Sequence, residues 1–181
     1  MWRAEMSYFD NLPAGNLFLI GPMGVGKTTI GRQLAQELGR EFKDSDREIE
    51  ERTGADIPLI FELEGEIGFR RREREVIDEL SQLSNIVIAT GGGSVLDPDN
   101  QQCLKTRGTV IYLYASLDQL VKRTNRNKGR PLLQTDNPRE KLESIMRERE
   151  PIYQNLADIS METGQDSIRH VVQVLLSKLE Q

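Results

Sequence analysis

The sequence predicts an α/β protein in three layers, α/β/α, with a five-stranded parallel sheet at its centre. Two observations predict it. Short apolar runs alternate with amphipathic helical stretches along the chain, the pattern of parallel strands joined by helical crossovers. The first such run ends in Gly21-Pro22-Met23-Gly24-Val25-Gly26-Lys27-Thr28, which fits the phosphate-binding loop G-x-x-x-x-G-K-[ST] and sits, as that loop must, between a strand and a helix.

The elements follow in order. Leu17–Ile20 reads as a short buried strand before the loop, and Thr28–Leu38 as the helix after it, with Ile30, Leu34, Ala35 and Leu38 on one stripe. Glu41–Lys43 is a weak second strand that runs into Asp44-Ser45-Asp46. Ser45–Thr53 reads as a helix capped by Ser45, with Glu48 three residues on to complete a capping box. Pro58–Leu63 and Glu66–Leu83 are further helices. The stretch 46–74 therefore holds more helix than one crossover needs and reads as an insertion. Ile86–Ala89 is an apolar third strand leading into Gly91-Gly92-Gly93. A helix over Pro98–Thr106 returns to the fourth strand, Val110–Tyr114, and Leu117–Thr124 is helical. The polar stretch 125–138, with Gly and Pro and no clear period, reads as a surface loop between two helices, suited to a lid. Pro138–Glu150 is helical, with Pro151 expected to end or kink it. Asp158–Met161 is the fifth strand and Ser167–Leu179 the last helix.

Bulk properties narrow the function. A chain of 181 residues suits one domain with a real core. Its formal net charge of −5 disfavours general nucleic-acid binding, so an anion site must come from local arginine placement. Cys103 is the single cysteine, which leaves no internal disulfide and no cysteine-rich zinc site and makes a reducing cytoplasm the natural home. No apolar run approaches the ~20 residues needed to cross a bilayer. Met1 to Asp10 lacks an apolar signal core and reads as a loose leader.

In open α/β sheets, ligands gather beyond the carboxyl ends of the strands. Strands one, two and three run there into the phosphate loop, Asp44-Ser45-Asp46 and the glycine triplet, so these three turns converge on one site. Glycines let backbone N–H groups curl around a phosphate, and the next helix points its positive end at the same place. Lys27 can reach the β- and γ-phosphates, and the Thr28 hydroxyl is placed to ligate Mg²⁺. Of Asp44 and Asp46, one can organise the metal and the other can take a proton from an attacking hydroxyl. Spacing alone does not say which. In Arg70-Arg71-Arg72-Glu73-Arg74, the pairs Glu66–Arg70 and Arg71–Glu75 suit a solvated face, but one inward arginine could clamp a carboxylate. Three adjacent glycines at 91–93 make sense where backbone approaches a ligand closely. Arg149 falls on the buried stripe of Leu142, Ile145, Met146 and Ile152 and so needs an anionic partner. Arg123 and Arg130 bracket the lid, where an arginine over the γ-phosphate can be worth ~10³–10⁵ in rate. Cys103 and His170 read as structural.

Taken together, GPMGVGKTTIGR, DSDREIEERTG, GEIGFRRRE, ATGGGSV, GRPLL and REREPIY resemble the shikimate kinase family, within the nucleoside-monophosphate-kinase-like group, from about Leu17 to the C-terminus. The resemblance implies a single P-loop kinase domain over 1–181, with a substrate-binding insertion at about 46–74 and a lid at about 125–138. It implies ATP and Mg²⁺ as cofactors and transfer of the γ-phosphoryl group to the 3-hydroxyl of shikimate, in aromatic amino-acid biosynthesis. ATP would lie on Gly24, Val25, Gly26, Lys27, Thr28, Thr29, Arg123 and Arg130, with Arg123 stacked on adenine and Mg²⁺ held by Thr28 and Asp44. Asp46, Lys27 and Arg130 would be catalytic, Asp46 as base. Shikimate would lie on Asp46, Arg70, Gly91, Gly92, Gly93 and Arg149, its carboxylate on the two arginines. Phe69 and Ile57 would pack near its ring, and Glu73 would brace the arginines. A second adenine-contacting loop maps to about Thr163–Asp166, which carries no motif of its own. A cytoplasmic monomer is implied, with no nucleic-acid or membrane partner. Rival readings are another small-molecule kinase on this fold, acting on gluconate or a nucleoside monophosphate, and a nucleotide-dependent switch. Asn127-Lys128-Gly129-Arg130 lacks the aspartate of the guanine motif N/T-K-x-D.

Overall fold

The structure, a computed structural model, describes residues 14–125 and 135–181. The elements run β1 (Asn16–Ile20), α1 (Lys27–Leu38), β2 (Phe42–Asp44), α2 (Ser45–Thr53), α3 (Ile57–Ser81), β3 (Val87–Ala89), α4 (Pro98–Arg107), β4 (Gly108–Tyr114), α5 (Leu117–Thr124), α6 (Pro138–Leu156), β5 (Ile159–Glu162) and α7 (Ile168–Leu179). The five strands form one parallel sheet in the order β2-β3-β1-β4-β5. The leader and residues 126–134, with Arg130, lie outside the described residues.

The burial pattern explains the three layers. β1 is buried along its whole length, and its alternate residues feed opposite faces. Leu17 and Leu19 join Ile111 and Leu113 of β4 against α1 and α7. Phe18 and Ile20 join Ile88, Val110 and Tyr112 against α3 and α4. A strand apolar on both sides can only sit in the middle of a covered sheet, and β1 lies between β3 and β4. The chain leaves β1 toward β2 on one side and later crosses to β4 on the other. That reversal opens the crevice in which the loops after β1, β2 and β3 meet.

The helices expected at Pro58–Leu63 and Glu66–Leu83 are both present and meet at Gly65 (φ 69°, ψ −178°), where the backbone leaves the helical region. A short 3₁₀ turn, Ser94–Leu96, follows the glycines. Two local expectations are revised. Ser45 does not cap α2. Asp44 does, its carboxylate accepting from the Asp46 and Arg47 N–H groups. Pro151 does not end α6, which continues to Leu156. Pro151 is exposed, so water can satisfy the Arg147 carbonyl that loses its partner, while buried Tyr153 and Leu156 hold the last turn to the core.

Candidate active site

The phosphate loop leaves β1 with left-handed backbone at Gly24 (φ 79°) and Gly26 (φ 105°), conformations that glycine adopts at least cost. No side chain caps α1, so its first N–H groups remain open to an anion. Lys27 Nζ donates to the carbonyls of Gly21 and Pro22, at 2.7 and 2.9 Å, and lies across the loop. Thr28 Oγ1 donates to Asp44 Oδ2 at 2.6 Å, joining the first and second turns. This hydroxyl–carboxylate pair fits Mg²⁺, a hard ion held by one or two carboxylates with substrate phosphates and water. Asp44 Oδ1 is engaged with the α2 backbone, which steadies the carboxylate.

A cavity of about 410 Å³ gathers Gly24, Gly26, Lys27, Thr28, Thr29, Asp44, Asp46, Gly91, Gly92 and Arg123. A smaller one of about 210 Å³ adjoins it, lined by Gly24, Val25, Gly26, Thr29, Arg123, Thr163, Asp166, Ile168 and Val171. Arg123 faces both. Its guanidinium donates to the carbonyls of Thr163 (2.5 Å), Gly164 (2.8 Å) and Val25 (3.3 Å), so its plane is fixed between the phosphate loop and the turn after β5. Thr163 Oγ1 also donates to the Val25 carbonyl, at 2.8 Å. The resemblance places an adenine-contacting loop at about Thr163–Asp166, and the bonds of Arg123 to Thr163 and Gly164 bring that loop to the cavity. Ile168 and Val171, at the start of α7, are not separable from other apolar helix positions by pattern.

The insertion supplies the other half. Of the arginine run, Arg70 turns inward, its side chain 18% exposed and its Nη1 2.8 Å from Glu73 Oε1. Arg72 pairs with Glu64 and Arg74 with Asp97 at the surface. Arg70 also lies over the Phe69 ring, 5.2 Å from its centroid, and Phe69 packs on Phe61. Ile57 is half-buried at the start of α3 and packs on the same cluster. Glu73 is fully buried. Burial pushes its carboxyl up to about 7, the charge of Asp46 pushes the same way, and Arg70 and Arg149 pull it back. Arg149 is buried at 4% exposure on the stripe of Leu142, Ile145 and Tyr153. Among the described residues, Arg70 Nε, Arg149 Nε and Glu73 Oε2 are buried without a hydrogen-bond partner. Two cationic side chains with unmet donors suit an anionic ligand.

The glycine triplet separates the two halves. A Cβ on Gly93 would lie 2.3 Å from Arg70 Nη2. One on Gly91 would lie 2.7 Å from Glu73 Oε2 and 2.8 Å from Asp46 Oδ1, and one on Gly92 would lie 3.3 Å from the Met23 backbone nitrogen. Charged side chains of the protein itself thus crowd Gly91 and Gly93, and the phosphate-loop backbone lies against Gly92. The Gly91 N–H is taken by Ser45 Oγ at 3.1 Å, which leaves Gly92 and Gly93 to offer amides to a ligand. Cys103 is buried beside Asp78, and His170 is exposed, its backbone N–H accepted by Ser167 Oγ.

The chain is similar to known proteins along nearly its whole length. The family model described as shikimate kinase matches residues 23–180. The shikimate kinase of Methylococcus capsulatus is 56% identical over 91% of this chain and 92% of its own length. That of Legionella pneumophila is 58% identical over 91% and 94%. The structure of shikimate kinase from Acinetobacter baumannii in complex with shikimate superposes with a TM-score of 0.91 at 48% identity, covering 96% of each chain.

Proposed function

The chain belongs to the shikimate kinase family and phosphorylates shikimate with ATP and Mg²⁺ in the shikimate pathway, and we propose that the transfer goes to the 3-hydroxyl across the glycine turn 91–93. The observation that carries this reading is the position of that turn. Asp46 and Glu73 flank Gly91 on one side of it and Arg70 stands over Gly93, while Gly91, Gly92 and Asp46 also line the cavity of the phosphate loop. Acceptor and donor therefore share a rim.

Bound at the loop, MgATP supplies the phosphoryl group and the ion that neutralises its charge. The chain's residues do the rest. Gly24, Val25, Gly26, Lys27, Thr28 and Thr29 hold the phosphates, Thr28 and Asp44 hold the metal, and Arg123 holds the base. Arg70 and Arg149 grip the shikimate carboxylate, with the Gly92 and Gly93 amides facing the substrate. Asp46 orients the 3-hydroxyl and takes its proton as the new O–P bond forms and ADP leaves. Lys27, with Arg130 from the lid, offsets charge on the phosphoryl group in flight. Residues 46–74 serve as the acceptor-binding insertion and about 125–138 as the lid, on a single domain that works as a cytoplasmic monomer. Among the described residues no helix is long and apolar enough to cross a membrane.

A coupled ADP-release assay tests this reading. ADP release should depend on shikimate, ignore gluconate and nucleoside monophosphates, and yield a product phosphorylated at the 3-oxygen. Release that ignores shikimate, or phosphate at another hydroxyl, contradicts it.

A further inference from the structure

Tyr153 is fully buried and lies one helical turn after Arg149 on α6. Its hydroxyl donates to the carbonyl of Gly92, 61 positions away in sequence. The Arg149 guanidinium acts electrostatically on the same hydroxyl, its positive charge opposing the rise that burial causes. The ring stacks on Tyr112 of β4, with centroids 5.2 Å apart and planes 19° from parallel. One phenol thus holds the substrate-facing turn from α6, one helical turn from Arg149, and is itself anchored to the sheet.

We infer that Tyr153 is a positioning residue for the acceptor: it sets the Gly92–Gly93 peptide plane from the same helix that carries Arg149. The geometry is simple. A trans peptide is planar, with C=O and N–H pointing opposite ways, and the chain has no cis bond among the described residues. With the Gly92 carbonyl turned into the core toward Tyr153, the Gly93 N–H points out of the core, away from Tyr153. At the other end of the turn, Ser45 Oγ holds the Gly91 N–H. Two buried hydroxyls therefore fix a run of three glycines that would otherwise cost much entropy to order. Burial pushes the Tyr153 hydroxyl up to about 12, with Arg149 pulling the other way, so it stays a donor across the working pH range. Phe at this position would keep the stack and lose the hydrogen bond to Gly92.

The inference rests on the assignment of Arg149 and the glycine turn to the acceptor, so the test carries Arg149→Ala beside Tyr153→Phe. KM values for shikimate and for ATP are measured for both variants. KM does not depend on how much of the preparation is folded, so partial misfolding does not mask the result. Tyr153→Phe should raise the shikimate KM about five- to tenfold, the effect of one neutral hydrogen bond, and leave the ATP KM within about twofold. Arg149→Ala should raise the shikimate KM by more than that. An unchanged shikimate KM in Tyr153→Phe, with a raised one in Arg149→Ala, overturns the inference and leaves the acceptor site standing. Equal rises in both KM values in Tyr153→Phe overturn it as well. No change in either variant overturns the inference and the acceptor assignment together.

Discussion

Pattern alone shows Glu73 as one more charge beside an arginine run, and the family resemblance makes it a brace for the arginines. The structure buries it between Arg70 and Asp46, and burial holds its carboxyl near 7. A folded-state value above the unfolded 4.5 means that the folded protein holds this proton more tightly. The stability it contributes is complete below about pH 4.5 and is lost as pH rises through about 7. We expect Glu73→Gln to remove that part of the slope, so that thermal stability between pH 5 and 7.5 falls less steeply than in the parent protein. A variant with the parent's slope contradicts this placement of the charge. Other residues were only half legible. Spacing could not divide the roles of Asp44 and Asp46, because two acids flanking a serine look alike in one dimension. The hydrogen bond from Thr28 to Asp44 and the nearness of Asp46 to the glycine turn put the two carboxylates in different surroundings, which supports the division proposed above. Arg149 was legible because a charge in a buried phase of a helix is conspicuous.

Among the elements, the turn 91–93 shows why local rules reach only part of the way. Three glycines in a row signal close approach, but not to what. The neighbours come from α2, α3 and α6, far along the chain. Gly93 has ordinary backbone (φ −96°), so alanine there meets no backbone strain and only the Arg70 guanidinium at 2.3 Å. That flexible group can move aside at small cost in stability, but not without leaving its place over the turn. We expect Gly93→Ala to change the melting temperature little and to raise the shikimate KM by about tenfold or more, the loss of a charge-assisted contact of roughly 1.5–3 kcal/mol. Unaltered shikimate KM with full activity contradicts the placement of Arg70. Ser45 and Pro151 misled for a related reason. Each obeyed a local preference that tertiary contacts overrode: Ser45 serves Gly91 instead of its own helix, and α6 is carried past Pro151 by buried Tyr153 and Leu156.

For the molecule as a whole, the number and direction of the strands follow from the alternation of apolar runs with amphipathic helices. Their spatial order does not, because β1 pairs with β3 and β4 through contacts that no local pattern encodes. The order β2-β3-β1-β4-β5 places the phosphate loop, the Asp44–Asp46 turn and the glycine turn side by side, and the insertion then brings Arg70 to the far side of the glycines. The fold thus makes one rim from two half-sites. The most direct measurement is a crystal structure with a non-hydrolysable ATP analogue, Mg²⁺ and shikimate bound together. The 3-hydroxyl should lie about 3–3.5 Å from the γ-phosphorus, in line with the leaving oxygen, with the carboxylate on Arg70 and Arg149 and Asp46 on the hydroxyl. Shikimate bound elsewhere, or held with its carboxylate away from both arginines, would contradict the shared rim.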